Sequence, residues 1–241
     1  MLLRSSFAVL ATTALLLTAP MAAASSLDAV KAKYIETWSS VNSFKCDIHI
    51  ETSQVDEEAG AEMDMNSTGN MQALRQSDGS FFWRMDLEMA INMPAAGMEI
   101  EAKVTTVYDG EFVHTVMEFM GQKQVSRTRD HEKSTVPIGE SMWEGLEEDT
   151  TLTYIGEGEV NGIPVYLVRA EWEEEDEDAP AGGAVYSFRQ DNALVLRAEI
   201  EVGDEPGTII MTASNYDLAA DVDESAFQVE IPVGANILDL E

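Results

Sequence analysis

One cysteine, three histidines and only fourteen lysines and arginines occur in the 241 residues of this chain. With Cys46 alone, no internal disulfide can close and no cysteine-based zinc site is available. His49, His114 and His131 leave few ligands for a transition metal. The scarce cations stand against 45 Asp and Glu, for a net charge of −31. That balance excludes a basic patch for DNA, RNA or an anionic membrane surface. No apolar run reaches the roughly 20 residues that span a bilayer. What remains is ordinary for a folded chain: 45% hydrophobic and 24% charged residues are enough apolar material to argue against wholesale disorder.

The first 24 residues read as an export signal. Arg4 supplies a positive start, Phe7 to Ala19 is an uncharged and mostly apolar stretch, and Pro20 ends it. Ala22 and Ala24 then form the small-x-small pattern for cleavage after Ala24. No cysteine lies at the cleavage point to take a lipid. The expectation is a soluble, periplasmic mature protein, residues 25–241, folded as one domain with a charge of −32, since Arg4 is lost and no acid is.

Within the mature chain, Ser26 is a candidate helix cap for residues 27–41. Leu27, Val30, Tyr34, Trp38 and Val41 make one apolar stripe at spacings of three and four. From Phe44 the period becomes two. Phe44, Cys46, Ile48 and Ile50 alternate with Lys45, Asp47, His49 and Glu51, and Met63 and Met65 alternate with acids. Trp83, Met85, Leu87, Met89 and Ile91 share a face opposite Arg84, Asp86, Glu88 and Asn92. After a Pro94–Gly97 turn, Met98, Ile100, Ala102 and Val104 alternate with Glu99, Glu101 and Lys103. This predicts a long antiparallel hairpin that is apolar on one side. Two-residue turns are expected at Asp109-Gly110 and Gly121-Gln122, and a short helix at 138–146 carrying Met142, Trp143 and Leu146. Strands are expected near 150–160, 163–173, 183–190, 194–202 and 207–217, with Gly182-Gly183 among the punctuating turns. The resulting fold class is mainly β, with some α. It is a single curved antiparallel sheet or half-open barrel of about eleven strands, with the N-terminal helix and the short central helix covering its concave face.

The search for catalysis is negative. Gly139-Glu-Ser141-Met-Trp143 lacks the final glycine of a nucleophile elbow, and His131-Glu-Lys-Ser134 lacks the second histidine of a zinc protease motif. The acidic run Glu171–Asp178 has no calcium-loop spacing and reads as a solvated loop, or as a dock for a basic partner. Methionines on apolar strand faces suit either core filling or a deformable pocket for a flexible ligand; Cu(I) is the weakest reading, because strand alternation already explains their spacing.

The order of several short motifs resembles the outer-membrane lipoprotein carrier (LolA/LolB-like) superfamily. They are the amphipathic first helix with Trp38, the strand opening Ser43-Phe44-Lys45-Cys46-Asp47-Ile48, and the Val107-Tyr108-Asp109-Gly110-Glu111-Phe112-Val113 hairpin. Asn161 to Val168 and the tail Asp223 to Ala235 complete the set. The resemblance implies a half-open barrel whose apolar cavity takes up acyl chains of a lipid or lipoprotein. On this reading the cavity is lined by Trp38, Ile48, Met63, Met65, Trp83, Met85, Leu87, Met89, Ile91, Met98, Ile100, Val104, Met142, Trp143, Leu146, Leu196 and Met211. The expected function is a periplasmic carrier or sensor, with a membrane or a protein as donor or acceptor. No catalytic residue, metal, cofactor or nucleic-acid partner is expected. The alternative is an acidic periplasmic adaptor that uses the same fold as a scaffold and transfers no ligand. An esterase-like enzyme is the third reading, and nothing in the sequence supplies its nucleophile. The state of the space between sheet and helices separates the first two: an apolar cavity favours the carrier, a packed interior the adaptor.

Overall fold

The computed structural model describes residues 26–56, 61–129, 139–173, 181–202, 207–229 and 237–240. The expected signal segment and its cleavage point lie outside these residues, as do His131, Pro137, Ile138 and residues 174–178 of the acidic run. Helix α1 runs Leu27–Ser39, and Ser26 caps it: the Ala29 N–H donates to the Ser26 hydroxyl at 3.3 Å. The stripe holds, with Val30, Tyr34 and Trp38 buried; the helix stops two residues short of Val41, which is buried in the link to the first strand.

The strands are β1 Ser43–Asp56, β2 Ala61–Arg75, β3 Phe81–Met93, β4 Met98–Tyr108, β5 Phe112–Phe119 and β6 Gln122–Arg129. After helix α2, Glu140–Asp149, come β7 Thr151–Val160, β8 Ile163–Trp172, β9 Gly182–Arg189, β10 Val195–Val202, β11 Gly207–Asp217 and β12 Ile237–Leu240. They form one open sheet in the order β12-β6-β5-β4-β3-β2-β1-β11-β10-β9-β8-β7, with β12 and β7 at the edges. Two antiparallel meanders meet where β1 pairs with β11. The eleven longer strands pair antiparallel, as the alternation predicts. The addition is β12, four residues paired parallel to β6, a strand too short and too close to the chain end to show a period.

Several turns differ from the sequence expectation. The β4–β5 connection is three residues, Asp109 to Glu111, because the Asp109 carboxylate accepts from the Glu111 and Phe112 N–H groups and opens the hairpin by one position. The β5–β6 turn is Met120-Gly121, one residue earlier than expected, with both residues in the left-handed region at φ 50° and 75°. Gly182 and Gly183 do not form a turn; they begin β9, where Gly182 lies against the Trp172 ring with no room for a Cβ. Helix α2 begins at Glu140 after Gly139, whose φ of 76° suits glycine.

Alternation assigns each strand an inner and an outer face. One inner row crosses ten strands in register: Tyr154, Val168, Tyr186, Ala198, Met211, Ile50, Ser67, Met89, Ala102 and Phe119. The outer face carries Asp47, Glu51, Glu88, Glu99, Glu101 and Glu201, all exposed. It also carries buried apolar side chains, Val107 and Val125 among them, and the chain end packs on it. Phe227 is buried against Phe82, with ring centroids 6.0 Å apart, and the Arg84 guanidinium donates to the Ala226 carbonyl.

Candidate functional site

The two helices cannot cover the inner face. At 1.5 Å per residue, α1 and α2 are about 20 and 15 Å long. The fifteen residues of β2 reach about 50 Å at 3.3 Å per residue. The helices settle at one end of the strands, where aromatic side chains close the space. Tyr34 packs against Trp143 and Phe188, with centroids 5.7 and 6.0 Å away. Trp38 packs against Phe44 and Phe81. The Tyr34 hydroxyl donates to the Met142 sulfur at 3.2 Å, and the Trp143 indole N–H to Glu147 at 3.0 Å. Lys31 ties α1 to the same Glu147. Burial pushes the Tyr34 phenol far above its ordinary range and the Cys46 thiol up to about 12. This end is a filled core.

The seventeen expected cavity residues therefore divide along the strands. Trp38, Ile48, Trp83, Leu87, Met142 and Trp143 belong to the packed cluster under the helices; Leu196 is buried beside a bulge in β10. Leu146, Met85, Met89 and Met211 are half-buried against that cluster. Met63, Met65, Ile91, Ile100 and Val104 are half-buried on the inner face, and Met98 is exposed.

Beyond Leu87 the inner face of β3 stays apolar, with Met89 still against the packed cluster and the later positions beyond it. On β3 the next inner positions are Met89, Ile91 and Met93; Ile91 pairs with Met65 on one side and Ile100 on the other, and Met93 pairs with Met98. Six residues of strand beyond Leu87 make a trough about 20 Å long. Its solvent-facing side chains include Met98 at 48%, Met117 at 39% and Phe119 at 36% exposure. Met93, Met117, Phe119, Ile200 and Ile209 also belong to this surface, beyond the residues expected from the sequence. Continuing the alternation already seen from Val113 reaches Met117 and Phe119 without further information. On β9, Tyr186 packs against the filled cluster, and burial raises its phenol.

Two grooves lie elsewhere. One of about 510 Å³ is lined by Asn66, Thr68, Glu88, Glu101, Lys103 and Glu118 among others, and a second of about 400 Å³ by Thr68, Asn70, Asp86 and Thr105 among others. Both are valleys of the twisted outer face, polar and crossed by the Glu88–Lys103 ion pair. They lack the apolar lining of a lipid site. Among the described residues, no three His, Cys, Asp or Glu side chains gather so as to hold a metal ion, and no helix is long and apolar enough to cross a membrane.

No family model matches the sequence, and comparison with curated proteins finds no match. Among solved structures, the chain is similar to an uncharacterized conserved protein of Thermus thermophilus, at 9% identity and a TM-score of 0.49, covering 88% of this chain and 98% of that one. It is similar to the lipoprotein LppX of Mycobacterium tuberculosis, at 17% identity and a TM-score of 0.43, covering 82% and 100%. It is also similar to LprF of Mycobacterium bovis, at 9% identity and a TM-score of 0.44, covering 80% and 93%.

Proposed function

We propose that this protein is an exported, non-catalytic carrier or sensor that binds the acyl chain of a lipid or lipoprotein along the uncovered inner face of its sheet. The observation that carries the reading is the trough itself: an apolar, methionine-rich surface about 20 Å long with no element among the described residues laid over it. One leaflet of hydrocarbon is about 15 Å deep, so an acyl chain fits within that length. About ten buried methylenes contribute about 8 kcal/mol, which exceeds the low end of the association cost, about 4 kcal/mol. Unbranched thioethers from Met65, Met89, Met93 and Met98 would let the wall repack around chains of different shape. Mass spectrometry of an organic extract of gently purified protein, with calorimetric titration of a long-chain monoacylglycerol, tests the reading. Co-purifying lipid and saturable binding support it; an empty extract and no binding refute it.

The adaptor reading keeps one observation in its favour, the filled core under the helices. It predicts capture of a basic partner that weakens with salt, because exposed charges are screened beyond about 8 Å at physiological ionic strength.

A further inference from the structure

The inner face of β1, in the middle of the sheet, changes character along its length. Its inner positions read Phe44, Cys46, Ile48, Ile50, Thr52 and Gln54, apolar as far as Ile50 and polar after it. Phe44, Cys46 and Ile48 are buried in the packed cluster, and Ile50 is half-buried against it. Gln54, the last of the six, is exposed. An amphiphile has the same order: hydrocarbon, then a linking group, then a head.

Thr52 stands where the change occurs. It pairs with Ile209 on one side and Met65 on the other, and the row continues through Ile200, Ile91 and Ile100. Thr52 is 7% exposed, and its hydroxyl has no hydrogen-bond partner. Valine would fill the position with the same branched shape and no donor. A buried hydroxyl without a partner is costly in an apolar wall, and an acceptor on a ligand would satisfy it. These neighbours carry no charge, so a neutral carbonyl suits the place, whereas a carboxylate would lose its hydration uncompensated. The flexible side chain of Met65, half-buried beside Thr52, can move aside to admit the carbonyl. The register also sets a length. Met65 pairs with Ile91, four residues beyond Leu87 on β3, so the Thr52 row lies about 13 Å along the trough. The hydrocarbon of one leaflet is about 15 Å deep, so most of an acyl chain fits on the inner side of that row. About 7 Å of strand remains on the outer side, as far as the Met93–Met98 pair, for a head.

We propose that the trough reads the ester linkage of its ligand: the Thr52 hydroxyl donates a hydrogen bond to the ester carbonyl oxygen of a neutral acyl lipid. The chain then lies over Ile50 and Met89 toward Leu87, and the head lies toward Gln54 and Met98. The inference rests on the acyl-chain reading above and adds to it the group that fixes the register of the chain. Hydrocarbon contact alone would let a chain slide along the trough, because burial of methylenes has no preferred position. One directional bond to a donor in the wall removes that freedom.

The test titrates the mature protein with two probes of one chain length and one head, each below its micelle concentration. One is a monoacylglycerol; the other is the matching alkylglycerol ether, in which a methylene replaces the carbonyl. The ester should bind about tenfold more tightly, the upper end for one neutral hydrogen bond. Thr52→Val should bring the two affinities together by weakening the ester alone, with ether binding unchanged and the free protein equally or more stable. Thr52→Ser keeps the donor and should keep the preference. With the ester carbonyl labelled with carbon-13, its infrared band should lie lower when bound to the parent than when bound to Thr52→Val, as hydrogen bonding to the carbonyl requires. Equal affinity of the parent for ester and ether overturns the proposal, as does a preference that survives Thr52→Val undiminished. Failure of both probes to bind overturns instead the acyl-chain reading on which the proposal rests.

Discussion

Gly69 on β2 faces the backbone of Asp86 on β3 so closely that a Cβ at position 69 would run into the Asp86 carbonyl oxygen. The approach occurs on the inner face between Ile48 and Leu87, where the covered part of the sheet gives way to the open trough. Glycine in mid-strand permits the two backbones to bend together there. Gly69→Ala must push a backbone rather than a side chain, so a loss of about 3 kcal/mol is expected in denaturant unfolding, the upper end of ordinary overpacking. A variant as stable as the parent would show that the bend is not needed.

Core and trough should separate under mutation. Trp143 is 1% exposed and touches Tyr34 and Phe188, so Trp143→Ala should lower stability by about 3–5 kcal/mol. Met98 is 48% exposed on the inner face, so Met98→Asp should cost less than about 2 kcal/mol and yet weaken acyl-chain binding. Thermal melts and monoacylglycerol titrations on both variants check the pair of expectations.

Acid should act through Asp86. Burial alone would raise its carboxyl, but hydrogen bonds from Arg84 and Thr105, with the Arg84 charge, outweigh that effect and hold it below the ordinary value. A carboxyl depressed in the folded state stabilises above its unfolded value, near pH 4, and that contribution is lost as pH falls through the folded value. The stability gap between the parent and Asp86→Asn should therefore be full at neutral pH and narrow below about pH 4. A gap that widens in acid would contradict the assignment.

Cys46 should be chemically silent in the native protein. It is buried, and burial followed by the neighbouring Asp47 charge pushes its thiol up to about 12. Thiol-specific alkylation should stay negligible at pH 8 until denaturant is added, then run to one equivalent per chain. Prompt native labelling would mean that the inner face opens at β1.

Much of the fold was legible because one-sided alternation is a strong signal over strands of eight to fifteen residues, such as Trp83 to Ile91. The turns were less so, since their positions depend on local hydrogen bonds such as those of Asp109, which no period encodes. β12 was invisible because four residues are too few for a pattern. Apolar side chains toward the inner face were identifiable residue by residue; what divides Trp83 from Met98 is helix length against strand length, which appears only once both are placed. The acids on the outer face proved to be what alternation implied, with Glu88, Glu99 and Glu101 exposed.

The most direct measurement is photo-cross-linking with a monoacylglycerol that carries a diazirine near the chain terminus and, separately, near the head, followed by peptide mapping. Binding in the trough predicts competable adducts on β2, β3 and β4 at residues 63–65, 87–93 and 98–104, with the terminal label nearer Leu87 and the head label nearer Met98. Adducts confined to the outer face or to α1, or labelling that unlabelled lipid does not compete, would contradict an acyl-chain site on the open inner face.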